Sequence, residues 1–322
     1  MTPLIERFRD RLPVSAATPV ISLGEGSTPL LAAPRLGKLL GVDLFLKWEA
    51  SNPTGSYKDR GMTVAVSKAA EAGARAVICA STGNTASSAA AYAARAGIPA
   101  LILIPEGAIA GGKLIQTRAL GARVLEVRGS FDQALAAARE LSDRGTHALV
   151  NSLNPFRIEG QKTAVFEIVE ELGAAPDAFV IPYGGGGNTT AYAQGIAESG
   201  LATPLYSIEA VDRPNTLATA IRIGTPVHRP KVEQSGAHVA AVSDEEIVEA
   251  WLQLAREEGL FCEPSSAAGL AFLRRRTELQ GARVVVTITG HGLKDPDIAN
   301  RYAPPPVQVD ADADAIAAAA AR

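Results

Sequence analysis

The chain has 322 residues, 47% of them apolar, and a formal net charge of -3 at pH 7, enough apolar material to bury one or two sizeable cores. That charge balance gives no electrostatic footprint for nucleic acid, and no basic block stands out. Apolar runs stop short of the ~18–20 residues that a membrane span requires. The N-terminus carries Glu6, Arg7, Arg9, Asp10 and Arg11 without an apolar h-region, so a cytoplasmic protein with no membrane partner is expected.

In chain order, residues 1–18 read as a short helix and a Pro-bounded arm, 24–29 as a turn cluster, 34–40 as a helix and 42–47 as a strand. Asn52, Pro53 and Gly55 then break regular structure, and a helix is predicted over 59–70. From there apolar strands at 76–79, 100–104, 123–127 and 148–150 alternate with helices at 85–96, 112–120 and 131–141. This βαβα succession with continuous apolar strands is the signature of an open parallel sheet. A helix over 160–172, a strand over 178–183, a loop over 184–188, a helix over 189–199 and a strand over 205–210 continue it. Residues 216–221 read as a helix start and 222–240 as loop or lid. Ser243 is predicted to cap a helix over 244–258, with Glu246 in capping-box position. A helix over 265–275 and a last strand over 283–288 follow, and the tail from 304 to 322 is assigned no chemistry.

The two cysteines, Cys79 and Cys262, form no C-x-x-C pair and lie in separate surroundings, which favours apolar packing over a disulfide or zinc site. The four histidines are dispersed, so no metal centre is expected.

Polar chemistry concentrates in a few turns. Residues 51–60 read Ser-Asn-Pro-Thr-Gly-Ser-Tyr-Lys-Asp-Arg and place Lys58 at the mouth of a helix, where the positive dipole end disfavours an ammonium. Such a lysine needs an anionic neighbour or a lowered pKa, and one that readily loses its proton can form a Schiff base. A surface lysine at a helix start is the alternative. Gly184, Gly185, Gly186, Gly187 and Asn188 lie between a strand and a helix. Close backbone approach and free N–H groups make them a cradle suited to phosphate. They fit neither the dinucleotide fingerprint nor the P-loop, and a plain glycine turn is the alternative. Ser81-Thr82-Gly83-Asn84-Thr85 is a second strand-to-helix turn, suited to a carboxylate or a ring oxygen, or else a helix cap. Asn151, Ser152 and Arg157 follow a buried strand; Arg157 either grips an anion bidentately or pairs with Glu159 or Glu167. Thr289 ends the last strand beside Gly290 and Gly292, at the edge where open α/β sheets bind ligands. His291 and Glu263 stay open between acid–base and packing roles. A lysine, a phosphate cradle and a neutral hydroxyl together point to pyridoxal phosphate, for which the protein supplies binding, orientation and tuning.

Four of these motifs are specific in combination: Asn-Pro-Thr-Gly-Ser-Tyr-Lys-Asp-Arg-Gly-Met, Ala-Ser-Thr-Gly-Asn-Thr, Asn-Ser-Leu-Asn-Pro-Phe-Arg-Ile-Glu-Gly-Gln-Lys-Thr and Thr-Gly-His-Gly-Leu-Lys-Asp-Pro. In order and spacing, residues 24–297 resemble the fold-type-II pyridoxal-phosphate enzymes, and among them the threonine synthase family. The last two motifs set that family apart from serine and threonine dehydratases, cysteine synthases and the tryptophan synthase β chain. The resemblance implies an α/β protein with two open, mainly parallel sheets flanked by helices. Its cofactor would lie in the cleft between a large domain (1–59 plus 151–303) and a small domain (60–150), with 304–322 as a tail. It further implies that Lys58 joins the cofactor covalently, Asn84 bonds its ring oxygen, and Gly184 to Gly187 with Asn188 hold its phosphate. Thr289 would meet the pyridine nitrogen and leave it unprotonated. Ser81, Thr85, Asn151, Ser152 and Arg157 would grip the phosphate and carboxylate of a small amino-acid substrate, with Lys113 adding positive charge.

The implied reaction converts O-phospho-L-homoserine and water to L-threonine and phosphate in a homodimer, with Lys58 taking the α-proton and shuttling the β-proton. Two departures mark this chain. The family's glycine loop usually reads Gly-Asn-Ala-Gly-Asn, so Gly185 lacks an asparagine that contacts substrate phosphate, and the segment from Glu209 to Thr216 is shorter. The competitors are a paralogue acting on another phosphorylated or activated amino acid, a serine or threonine dehydratase, and a non-catalytic amino-acid sensor.

Overall fold

Val77, Ile78 and Cys79 are fully buried in a row, as are Val284, Val285 and Val286, the pattern of strands covered on both faces. The structure, a computed structural model, describes residues 2–107 and 113–321. Its strands are β1 Leu30–Ala32, β2 Asp43–Trp48, β3 Ala76–Ala80, β4 Ala100–Pro105, β5 Arg123–Val127, β6 His147–Leu149, β7 Ala178–Pro182, β8 Leu205–Ala210, β9 His238–Val242 and β10 Arg283–Ile288. They form a six-stranded sheet, β1-β2-β10-β7-β8-β9, and a four-stranded sheet, β5-β4-β3-β6. Every pairing is parallel except β1 with β2.

Because successive side chains point to opposite faces, each sheet feeds two cores. In the larger sheet Val180, Val284 and Val286 pack against Trp251, Leu254 and Leu270. Phe179, Ile181 and Val285 face the other way, onto Val165, Ile168, Tyr192 and Ile196. In the smaller sheet Val77 and Cys79 meet Met62, Val66 and Tyr92, while Ile78, Ala80 and Leu103 meet Ala134 and Ala138. Cys79 and Cys262 are both free and buried, the apolar packing expected of them.

The strand order reverses at β3 in the smaller sheet and at β10, between β2 and β7, in the larger. Open α/β sheets bind ligands at the carboxyl ends beside such reversals. Those ends carry the lysine segment, the Ser81 turn, the glycine loop and Thr289.

Several boundaries differ from expectation for identifiable reasons. The helix predicted from 160 begins at Pro155 and runs to Leu172, because Asn154 accepts the Phe156 N–H as a cap and Pro155 occupies the first turn. Arg157 is therefore a helical residue rather than a loop residue. The segment expected to be loop or lid holds a short helix, Arg229–Gln234, and the edge strand β9. His238 and Val239 of that strand are exposed, and two of its five residues are alanine, so its strand preference is weak. Likewise β1 falls in a stretch given no strand. Residues 216–221 form only a 3-10 turn, Thr219–Ile221, and the helix predicted over 265–275 divides into Pro264–Ala267 and Ala268–Leu273. The tail contains a helix, Ala313–Ala320, capped by Asp312. The helix Asp244–Glu258 has the predicted Ser243–Glu246 capping box. Among the described residues no helix is long and apolar enough to cross a membrane.

Candidate active site

The lysine segment is a loop pinned from several sides. After β2 the chain makes a 3-10 turn, Glu49–Ser51, and enters the helix Lys58–Glu71. Asp59 accepts the Thr54 N–H and hydroxyl, each at 2.7 Å, and the Ser88 hydroxyl at 2.6 Å. Burial raises its carboxyl to about 6, against these hydrogen bonds and the attraction of Lys294. Lys294 Nζ reaches Thr54 O and Ser87 Oγ at 2.9 Å and Gln116 Oε1 at 2.6 Å. Tyr57 N–H donates to Thr289 O at 3.0 Å and His291 N–H to Gly55 O at 2.9 Å, so the loop lies against the end of β10. Lys58 is half-buried. Its Nζ donates to the Tyr57 hydroxyl and sits 4.2 Å from the centre of that ring.

Two residues on, Arg60 is fully buried and holds Glu49 at 2.7 and 2.8 Å and Glu167 at 2.8 and 2.6 Å. Lys47 also pairs with Glu167, at 3.1 Å. Burial pushes the Glu167 carboxyl up, but Arg60 and Lys47 outweigh it and hold the group at about 2. This network fixes the start of the lysine helix against the helix Pro155–Leu172.

The glycine loop has the shape of a cradle. Gly186 has φ +87°, and a Cβ there would come within 3.0 Å of His228 Cβ and 3.1 Å of the Tyr183 ring, so only glycine fits. A Cβ on Gly184 would lie 3.1 Å from Ala220 O, whereas one on Gly185 would meet nothing within 4 Å. Gly187 and Asn188, expected in the loop, form the first turn of the helix Gly187–Glu198. Asn188 Nδ2 is buried without a hydrogen-bond partner. An orphan amide donor beside free helix N–H groups matches a phosphate.

The Ser81 turn leads into the helix Asn84–Ala96, whose N-cap is Gly83 with no side-chain cap; capping therefore does not explain the turn. Ser81 and Thr85 are half-buried. Asn84 Nδ2 donates to both carboxylate oxygens of Glu263 at 3.1 Å. Glu263 is 2% exposed and occupies the space that a Cβ on Gly290 would need. The structure thus joins two motifs that are 179 residues apart in the chain.

Thr289 directly follows β10, beside a partner that the sequence did not reveal. Ser266 Oγ accepts the Thr289 and Gly290 N–H groups, each at 3.1 Å, and lies 2.9 Å from Thr289 Oγ1. With two donors already on its oxygen, Ser266 directs its own proton to Thr289. The Thr289 hydroxyl is then left as a donor, suited to an unprotonated ring nitrogen. Ser265 Oγ, next along, is buried without a partner. His291 accepts the Leu293 N–H at 3.2 Å, which makes it a capping residue of the following turn.

The substrate-side residues divide. The Asn151 amide is engaged with the Ala80 backbone, accepting at 2.9 Å and donating at 2.8 Å, so it ties the turn after β6 to the end of β3. Ser152 is half-buried. Arg157 is 1% exposed, and among the described residues it reaches only Val150 O, at 3.4 Å, and leaves Nε without a partner. The ion pairs considered for it do not form: Glu159 pairs with Lys162 and Glu167 with Arg60 and Lys47. Burial lowers the pKa of this guanidinium. A buried cation lacking a counter-ion is a place for an anion. Lys113 opens the helix Lys113–Ala119, but its side chain lies outside the described residues.

Comparison with known proteins identifies the family and the fold. A model of the family "Pyridoxal-phosphate dependent enzyme" matches residues 21–290. The threonine synthase of Synechocystis sp. is 50% identical, covering 92% of this chain and 84% of that protein. That of Mycobacterium leprae is 49% identical, covering 94% and 91%. Among solved structures, maize serine racemase superposes with a TM-score of 0.78 at 22% identity, over 92% of this chain and 96% of that one. A fungal L-serine ammonia-lyase from Rhizomucor miehei gives 0.75 at 26% identity, over 86% and 98%. The architecture is that of fold-type-II enzymes, two mainly parallel sheets flanked by helices. The chain belongs to the threonine synthase family of pyridoxal-phosphate dependent enzymes.

Proposed function

We propose that this protein converts O-phospho-L-homoserine and water to L-threonine and phosphate, as a cytoplasmic homodimer. Its threonine synthase relatives, at 43% to 50% identity, support this reading. The observation that carries it is Arg157, a buried guanidinium with Nε unpartnered, on a different helix from the glycine loop. The glycine loop serves the cofactor phosphate, and a second anion site suits a substrate with a phosphate of its own. A serine or threonine dehydratase would need such a site only for the substrate carboxylate, so phosphate binding at Arg157 distinguishes the two.

Bound pyridoxal phosphate supplies an electron sink for the pair released at the substrate Cα. The chain does the rest. Gly184, Gly185, Gly186, Gly187 and Asn188 hold the cofactor phosphate. Thr289, which Ser266 leaves as a donor, would meet the ring nitrogen, and Asn84, steadied by Glu263, would bond the ring oxygen. Ser81, Thr85, Ser152 and Arg157 bind the substrate's carboxylate and phosphate, with Asn151 shaping their turn and Lys113 adding charge. Lys58 Nζ takes the proton from Cα and moves one at Cβ, and the adjacent Tyr57 hydroxyl steadies that amine.

The test is incubation of the purified enzyme with O-phosphohomoserine and, separately, O-acetylserine, serine and threonine. Equal yields of threonine and phosphate from the first support the proposal. An oxo acid from serine or threonine, with no phosphate released from phosphohomoserine, sinks it. Lys58→Ala abolishes turnover, and borohydride reduction with peptide mapping places the cofactor label on Lys58.

A further inference from the structure

His228 falls in the segment that the sequence marks as loop or lid. It is 4% exposed and immediately precedes the helix Arg229–Gln234. Its backbone N–H donates to Gly185 O at 3.1 Å. Its imidazole Nε2 lies 2.9 Å from Ser152 O. Its Cβ packs beneath Gly186, and Nε2 comes within 3.7 Å of where a Cβ on Gly187 would be. A carbonyl oxygen only accepts, so Nε2 bears the proton and donates it. One buried residue thus links the glycine loop, 43 positions before it at Gly185, to the turn 76 positions away that leads into Arg157.

We propose that His228 is a positioning residue that holds the glycine loop and the Ser152 turn in register, so that cofactor phosphate and substrate phosphate are bound as a pair; this deepens the function proposed above and rests on it. Neither loop makes this link itself. Gly185 has no side chain, and a Cβ there would meet nothing within 4 Å. The Asn151 amide, at the start of the opposite turn, is already engaged with Ala80. The clamp acts through neutral imidazole. Burial lowers the His228 pKa, the hydrogen bond to Ser152 O opposes this, and Lys231 on its own helix with Arg157 and Lys58 from the two facing helices lower it further.

The test compares holoenzyme of the wild type, His228→Ala and His228→Gln. Glutamine keeps an N–H donor within reach of Ser152 O, while alanine keeps none. Two readings are taken: inorganic phosphate binding, from the visible absorbance of the bound cofactor, and the rate of cofactor loss into buffer. His228→Ala weakens phosphate binding and speeds cofactor loss, each by about tenfold, the scale of one lost hydrogen bond. His228→Gln stays within about threefold of wild type in both. Wild-type behaviour of His228→Ala overturns the proposal, as does His228→Gln failing as badly as alanine, since ring volume would then be what matters. A wild-type holoenzyme blind to phosphate overturns it too. If the wild type leaves phosphohomoserine unchanged, the proposed reaction fails, while the difference between alanine and glutamine in cofactor loss still decides the clamp.

Discussion

Gly160 and Arg60 meet backbone to backbone: a Cβ added to Gly160 would lie 2.0 Å from Arg60 O. One position along, a Cβ on Gly61 would lie 2.6 Å from Arg157 O. These glycines let the helix that begins at Lys58 lie directly on the helix that carries Arg157. The spacing between the start of the Lys58 helix and the buried guanidinium is therefore set by two missing side chains. Gly160→Ala should cost about 3 kcal/mol of stability, the upper range for overpacking, because the obstacle is backbone that cannot rotate away. Gly185→Ala, with open space around it, should cost under about 0.5 kcal/mol. Urea unfolding of both variants checks the contrast.

Arg157 makes an unusual stability prediction. An unpaired buried guanidinium carries a desolvation cost with little return, so Arg157→Met should be as stable as wild type, or more stable, when no anion is bound. Inorganic phosphate should raise the melting temperature of the wild type and leave that of Arg157→Met unmoved. Thermal melts with and without phosphate read both effects. Loss of stability in the anion-free variant would show that Arg157 is a structural residue.

The Arg60–Glu167 pair should show itself in acid. Glu167 is held at about 2 in the folded protein against 4.5 ordinarily. A depressed folded pKa means that its contribution is complete above pH 4.5 and is lost as the pH falls towards 2. Glu167→Gln leaves Arg60 and Lys47 short of a counter-charge and should cost about 3–5 kcal/mol at neutral pH. The gap between variant and wild type should then narrow between pH 4.5 and 2. Urea titrations at several pH values test this, and a gap that stays constant would mean that the carboxylate is not the stabilising group.

Lys58, Asn84, the glycine loop and Thr289 are legible in the sequence because each stands where an apolar strand gives way to glycine, asparagine or a hydroxyl, a wholly local pattern. Ser266 and His228 are not. Their partners lie 23 and 76 residues away, and they act on backbone atoms, which carry no sequence signature. Glu263 was visible as a carboxylate, but only folding brings it to Asn84. The edge strand β9 is not legible because two of its five residues are alanine, which gives it a weaker strand preference than the valine- and isoleucine-rich inner strands. The start of the Pro155–Leu172 helix is instructive in the opposite sense. Its Asn154 cap and first-turn proline are local signals, and they place Arg157 on a rigid element, in the buried position where its Nε lacks a partner.

Gly185 is where this chain departs from the family's glycine loop, and the structure makes the departure reversible. A Cβ at Gly185 meets nothing within 4 Å, and its φ lies outside the left-handed range, so asparagine fits without strain. On the proposed reading the added amide would face the substrate phosphate and supply a hydrogen bond to a charged group, about 1.5–3 kcal/mol. Gly185→Asn should therefore lower KM for O-phosphohomoserine by roughly tenfold or more. The effect on kcat should be smaller, because an interaction made equally with substrate and transition state changes binding and leaves the chemical step alone. Gly186→Asn is the control one residue along. There φ is +87° and His228 Cβ stands 3.0 Å from the new Cβ, so the cradle itself should fail and the protein should lose its cofactor. Steady-state kinetics of Gly185→Asn beside cofactor retention in Gly186→Asn separate a gained contact from a broken loop. An unchanged KM in the first variant would mean that the substrate phosphate does not lie beside Gly185.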